Sequence, residues 1–566
     1  MFVRLGKEAD MKNRQVSYVR IMLALVIAFT VRIGLGIDDD PTTSTYNEAK
    51  QEWYVGDVVA LTNALTNVKE NDTVLLSEGE YDLSFLAASP MVTSENNYGK
   101  TLISTGKRNV KICGKTGNRK DVVLDGKGVN ARIIYITGEK SGVMNVTIRG
   151  GRIVAASGGK QPYRCGGGVI FAGNNTFISN CIITACYSDR GGGAVGAPWN
   201  GRRGRVLDCV LFENTVNCNG GGAIAHCEYV SGCTVVSNIQ LHSGSEHGGG
   251  AMYNVSVVTN CTVAYNYATG VGGGLFNCDN VYKTDIEHNI SDRTTGSDNC
   301  GSGGAYGGKF YSCTFRDNCA ASVCNAILME KCIVEDGRVN CLTNINCKFQ
   351  NLHNSPDYVW AKGNVQYPDG KSTQSLYGFY GVELMRNCLI TGCEWGYGSG
   401  DDDDISLFNN VIGRIENCTI ADNTYHYFGS NFKSGAVFVN CAIVRNTLGD
   451  SVTPSDVSLY KSTLFCFSNC VWNVTGARGD TVVRNDGYRD SGCLELGAGV
   501  SPKFLDKGEY PYTPRRSSVL YMSGMPLDWM RGGTDLAGNP RLRDDKVDIG
   551  CYQCWLDPVG FVYSIR

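Results

Sequence analysis

The chain has 566 residues with 52 basic and 55 acidic side chains, a formal net charge of −3, which gives no reason to expect nucleic acid or an anionic membrane as partner. Charged residues make up only 19%, while glycine reaches 71 and proline 13. That balance excludes collagen and argues for repeated tight turns rather than disorder.

Residues 1–36 read as a signal peptide. Arg14 and Arg20 precede the apolar run 21–31, and Gly34-Leu35-Gly36 offers a small-x-small cleavage site. About eleven apolar residues fall short of a hydrocarbon core of roughly 30 Å. No later segment is apolar enough to cross a membrane as a helix. Export to the extracellular space or cell surface is therefore expected.

Residues 37–100 form an N-terminal cap and first coils. Val58, Leu61, Ala64 and Leu65 recur at helical spacing after the start signal Gly56-Asp57, which predicts a short amphipathic helix ending near Asn71. Residues 73–76 should then form a strand. Such a helix would cover the open end of a stacked body, whose first coil otherwise exposes an unpaired edge.

Residues 101–499 carry the organising repeat. CVLFENTVNCNGGGAI opens at Cys209, and equivalent units open at Cys233 and Cys261. Asn214, Asn238 and Asn266 follow at one offset, and glycine triplets at 220–222, 248–250 and 272–274 close the units. The next step, from Cys261 to Cys313, reads as two coils with Asp285 in the Cys place. Units of 24–30 residues leave room for three short strands and three turns, and the inner residues are near-continuous Val, Ile and Cys. The fold class expected is all-β: a right-handed parallel β-helix solenoid with a short N-terminal capping helix.

Twenty-six cysteines in an exported chain suggest disulfides. However, Cys181, Cys209, Cys233, Cys261, Cys313, Cys418, Cys441 and Cys470 all open β-runs, as one equivalent position on successive coils. They are expected as a stacked inner column of free thiols acting as small hydrophobes. Cys218, Cys227, Cys278, Cys300, Cys319 and Cys324 lie off that register and are better disulfide candidates. Asn214, Asn238 and Asn266 are expected to form a hydrogen-bonded ladder.

GGGAI (220–224) with LFEN (211–214), and GGAY (303–306) with TFRDN (314–318), resemble the GGA[ILV] and FxxN repeats of polymorphic outer-membrane proteins. The layout resembles the pectate-lyase superfamily of β-helices. In the tail, 500–566, Thr534-Asp535-Leu536 with Gly538-Asn539-Pro540-Arg541, then Val547-Asp548-Ile549-Gly550 and Tyr552, resembles the terminal module called choice-of-anchor Q. These resemblances imply an exported or surface protein of a bacterium, associated with its outer membrane.

The repeat lapses near residues 351–387, in an aromatic insertion. Tyr358, Trp360, Tyr377 and Tyr380, with Trp395 and Tyr397 soon after, could stack on sugar rings or form a mini-core that holds the loop. GSGDDDDISL (398–407) places Asp401, Asp402, Asp403 and Asp404 together. They could hold Ca²⁺ through oxygen ligands, or form a solvated turn. Asp401 and Asp402 also resemble the paired aspartates of polygalacturonase-type glycosidases. The companion NTD, GHG and RIK motifs are missing, so no complete catalytic set is found. The histidines show no metal-ligand spacing. Cys551 and Cys554 have redox spacing without a redox fold around them, and read as a local disulfide or free thiols.

The function expected is binding of a polysaccharide or surface glycan by a monomeric, adhesin-like protein that needs no cofactor beyond a possible calcium ion. The alternative is a polysaccharide lyase or glycoside hydrolase acting on acidic polysaccharide.

Overall fold

The computed structural model describes residues 44–91, 100–154, 165–198, 201–242, 247–292, 301–319, 321–335, 337–352, 377–395, 406–425, 427–430, 436–448, 459–460, 465–473, 489–496 and 500–555. The signal-like segment 1–36 lies outside them.

Strands here are mostly two to five residues long, because one inward aliphatic residue between two outward ones suffices to anchor each pass. Val206, Val230, Val258 and Val281 are fully buried, and they pair in register, Val206 with Val230, Val230 with Val258, Val258 with Val281, all parallel. Each coil visits up to four faces in order. Face 1 contains Ile224–Ala225, face 2 Tyr229–Ser231, face 3 Thr234–Val236 and face 4 Ile239–Gln240. Face 3 stacks sixteen strands, from Gly79–Asp82 to Leu494–Leu496. Faces 1 and 2 merge into one sheet where Ala321–Glu330 and Arg338–Ile345 run straight through both. The chain is a right-handed parallel β-helix.

The corners follow one rule. A residue with positive φ bends the chain, and the next side chain turns inward and repairs the backbone bonds that the bend interrupts. Between faces 3 and 4, Ser237 (φ 56°) precedes Asn238. The Asn238 amide donates to Val236 O at 3.0 Å, and its oxygen accepts from Asn214 N at 3.1 Å. Asn266 and Asn289 continue the ladder to Asn318. Between faces 2 and 3, Gly232 (φ 65°) precedes Cys233. The Cys233 thiol donates to Ser231 O at 3.3 Å and accepts from Cys209 N at 3.5 Å.

The cysteine column is therefore more than a row of small hydrophobes. At one rung a hydroxyl takes the same place: Thr284 Oγ1 donates to Tyr282 O at 2.9 Å and accepts from Cys261 N at 3.4 Å. This corrects the sequence expectation, since Asp285 is exposed and Thr284 holds the Cys position. The expected coil length also fails between Cys313, Cys332 and Cys347, where coils drop the fourth face and shrink. Of the proposed disulfide candidates, Cys324 is disulfide-bonded, whereas Cys218, Cys227 and Cys278 are free thiols. Cys300 lies outside the described residues.

Glycine triplets sit where coils touch backbone to backbone. A Cβ on Gly222 would lie 2.0 Å from Gly250 O, and one on Gly250 would lie 2.1 Å from Gly273 O. No other residue fits that approach.

At the N-terminal end, α1 (Val58–Asn67) starts at Asp57, whose side chain accepts from Ala60 N at 2.7 Å. It buries Ala60, Leu61, Ala64 and Leu65, and stops four residues short of Asn71. Ahead of it, Thr45–Asn47 and Glu52–Val55 form an antiparallel hairpin that the polar composition of this lead concealed. Glu52–Val55 then pairs with Thr73–Leu76, so the first edge of face 2 is not left open.

The C-terminal segment 500–554 is a layer laid over face 3. In the first half of the solenoid the outward residues there mix polar side chains, such as exposed Thr234 and Asp285, with partly exposed apolar ones, such as Val210, Phe212 and Val236. From Leu389 onward they become Thr419, Ala421, Ala442, Val444 and Val471, all buried. Phe504, Leu520 and Ile549 cover Ala421, Ala442, Val444 and Val471, and Tyr552 covers Leu389. The corner asparagines grip this layer by its backbone. Asn387 donates to Thr534 O at 2.6 Å and Asn469 to Ser523 O at 2.8 Å. Asn440 both donates to Met525 O and accepts from Met525 N, each at 2.7 Å.

The motif residues in the tail serve this docking. Asp535 accepts from the backbone of Ala537, Asn539 and Gln553. Fully buried Arg541 donates to Asp548 O at 2.8 Å and also to Gly550 O. Cys551 is a buried free thiol whose N–H donates to Thr419 Oγ1 at 3.0 Å.

Candidate functional site

Between Gly196 and Arg205 the chain leaves the coil in a loop ending GRRGR. Gly204, at φ +80°, presses against Phe171, where a Cβ would come within 2.0 Å of the ring. Arg203 fixes the loop by donating from its N–H to His226 O at 3.0 Å and from Nη1 to Ala172 O at 2.6 Å. Arg202 is thereby aimed along the corner between faces 1 and 2, across later coils.

Among the described residues, the hydrogen bonds of its guanidinium all go to oxygen. Nε donates to Asn254 Oδ1 at 3.0 Å, Nη1 to Ser256 Oγ at 3.1 Å and Nη2 to Asp279 Oδ1 at 2.9 Å, while Nη1 also reaches Asp279 Oδ2. This is a two-pronged fork on one carboxylate, the strong geometry for such a pair. The Asn254 amide lies 2.8 Å from His226 Nδ1. His226 is 5% exposed. Burial first, and the charge of Arg202 second, hold its pKa down to about 4, so the ring is neutral near pH 7. Tyr253 meets His226 edge-on at 5.3 Å and stacks on Phe276, which stacks on Tyr306, each at 5.3 Å.

Chemically this corner is a brace with a polar rim. Acid–base chemistry needs a side chain free to reach a substrate proton. Here Arg202 and Asp279 are committed to each other, and His226 is covered. Two arginines between glycines are the cluster's one trace in the linear order of residues. Its members come from separate coils, and only the stacking register brings them together.

Face 2 offers a different surface. Its outward side chains are half-buried or exposed over the first coils and carry no covering layer among the described residues. Tyr282 and Tyr311 stack there at 4.8 Å, and Arg205 lies over the Tyr229 ring at 5.2 Å. Tyr265 and His288 stack at 4.8 Å on the neighbouring corner between faces 3 and 4.

The residues singled out from sequence fall mostly elsewhere. Tyr358, Trp360, Tyr397 and Asp401, Asp402, Asp403 and Asp404 lie outside the described residues. So do the side chains of Tyr377 and Trp395, whose backbones form strands in Tyr377–Tyr380 and Glu394–Trp395. Tyr380 is half-buried beside inward-facing Phe379. Coil pairing has resumed by Tyr377, earlier than the lapse near 351–387 suggests. His242 and His247 meet edge-to-face at 4.4 Å. Among the described residues no group of three His, Cys, Asp or Glu could hold a metal ion, and no helix is long and apolar enough to cross a membrane.

No family model and no curated protein sequence matches the chain. Among solved structures it is similar to the family 6 alginate lyase AlyGC, at 11% identity over 78% of this chain and 53% of that one, with a TM-score of 0.28. The chain thus spans about half the length of that enzyme. It is also similar to pectate lyase Pel9A, at 12% identity over 87% and 90% of the two chains, TM-score 0.23. A third is a mannuronic-acid-specific family 6 lyase from human gut microbiota, at 12% identity over 79% and 91%, TM-score 0.28. These likenesses assign no activity to this chain.

Proposed function

We propose that this protein is an exported or cell-surface β-helix that binds a polysaccharide or surface glycan without cleaving it. The observation that supports this reading is the uncovered face 2, where Tyr229, Tyr282 and Tyr311 stand on a flat run of short strands beside hydroxyl and amide side chains. Tyrosine gives a sugar ring an apolar face with a polar handle. The signal-like residues 1–36 support export, and the polymorphic outer-membrane-type repeats are in keeping with a bacterial surface location. The absence of a free acid–base pair around Arg202 among the described residues favours binding over turnover. Retention of the protein on a panel of immobilised polysaccharides tests the proposal. Tyr282→Ala with Tyr311→Ala should reduce retention, and failure of every glycan to retain the protein would overturn it.

A polysaccharide lyase or glycoside hydrolase acting on acidic polysaccharide is the second reading. It draws on half-exposed Asp279 and neutral His226, linked through Arg202 and Asn254. Its test is the appearance of unsaturated products or new reducing ends.

A further inference from the structure

The outward positions of face 2 are sorted by charge. Nine successive rungs, from Thr73 and Leu75 to Lys309 and Tyr311, stack in register. Their outward side chains include the cations Lys111, Arg205 and Lys309 and no carboxylate. None of the three cations forms an ion pair with a described carboxylate. Acids on this row bound the run at both ends, Glu52 at the rung before Thr73 and Glu330 at the rung after Tyr311. Face 3 of the same coils differs, since its outward acids Glu80, Asp125 and Glu287 are paired with the outward cations Arg149 and Arg316. In a chain of net charge −3, a single-sign face of this length is not a generic solvated surface.

At about 4.8 Å per rung, Lys111 and Arg205 stand roughly 14 Å apart and Arg205 and Lys309 roughly 19 Å apart, in one line along the helix axis. Phe177 lies in the first interval, Tyr229 and Tyr282 lie in the second, and Tyr311 stands beside Lys309 on its own rung. We infer that face 2 is a track for a linear polyanionic glycan that lies along the axis, across the strands, with its rings on the tyrosines and its anionic groups at the three cations. This assignment rests on the glycan-binding reading, and it adds the ligand's charge and its direction.

The test uses the full chain and three polymers with one backbone: dextran, dextran sulfate and carboxymethyl-dextran. Both polyanions should bind about tenfold more tightly than dextran at low salt, with the advantage shrinking as salt is added. Arg205→Gln with Lys309→Gln should remove most of that advantage at unchanged melting temperature, while Asp285→Asn on face 3 should leave it intact. If only the sulfated or only the carboxylated polymer binds tightly, the track stands and the anionic group is identified. Equal binding of dextran, or loss of binding on Asp285→Asn alone, would overturn the track while leaving glycan binding in place. No retention on these or any other polysaccharide would overturn the binding reading itself.

Discussion

The backbone N–H of Cys209 donates to Sγ of Cys233 at 3.5 Å, one coil away, while the Cys233 thiol donates to Ser231 O at 3.3 Å. The thiol thus does at one corner what the Asn238 amide does at the next. In-register neighbours keep parallel Cβ directions about 4.8 Å apart, beyond the usual span of a disulfide, so the column can remain reduced in an oxidising compartment. Cys233→Ser should therefore be tolerated, as Thr284 is, whereas Cys233→Ala should cost about 1–2 kcal/mol by leaving the Cys209 N–H unmet. Chemical denaturation of both variants checks this. Serine costing more than alanine would restore the purely hydrophobic role.

Asn238 ties its own coil to the preceding one, donating to Val236 O and to Leu211 O, each at 3.0 Å, and accepting from Asn214 N. Asn238→Ala should lower stability by about 2–3 kcal/mol, since buried groups in two coils lose their partners, and should leave glycan binding unchanged. An unaltered melting temperature would count against the ladder.

These two columns were legible because Cys and Asn recur at fixed spacing in coils of uniform length. Legibility failed where the spacing changed. Thr284 was overlooked because a hydroxyl replaces the thiol, and Cys332 and Cys347 because their coils omit the fourth face. Docking of the C-terminal layer could not be read from polarity, since the outward pair of CTIADN, Thr419 and Ala421, is no less polar than Thr234 and Val236 of CTVVSN. Nor could the Arg202 cluster be read, because contact between Arg202 and Asp279 depends on how many residues each intervening coil consumes.

The C-terminal layer depends on close approach at Gly550. It holds φ +100°, and a Cβ would lie 2.6 Å from Thr419 Oγ1. Gly550→Val should loosen the layer, expose Ala421, Ala442 and Val444, and make the segment 500–554 more sensitive to limited proteolysis. A cleavage pattern identical to the parent's would show that the layer is held mainly by the asparagine grip.

Two buried groups shape acid stability. His226 has a folded pKa of about 4, below the ordinary histidine value of about 6.5. The unfolded chain then binds more protons between those values, so stability is complete above about pH 6.5 and falls as pH drops toward 4. His226→Gln should flatten that window in urea titrations. Asp125 shifts for other reasons. Burial raises its pKa, but the Lys127 N–H and the Arg149 and Lys127 side chains outweigh it and leave the value lowered. Its contribution is present above the unfolded carboxylate value of about 3.9 and is lost as pH falls below it. Asp125→Asn should flatten this lower window and leave the histidine window unchanged.

The most direct test of the account follows binding and chemistry in one incubation of the full chain with polyuronates and neutral glycans. Retention on glycan is expected, weakened by Tyr282→Ala with Tyr311→Ala, with no rise in ultraviolet absorbance from unsaturated ends and no new reducing ends. Product formation that disappears in Asp279→Asn or His226→Gln, in protein that still folds, would contradict the binding-only account and make the Arg202 corner an active site.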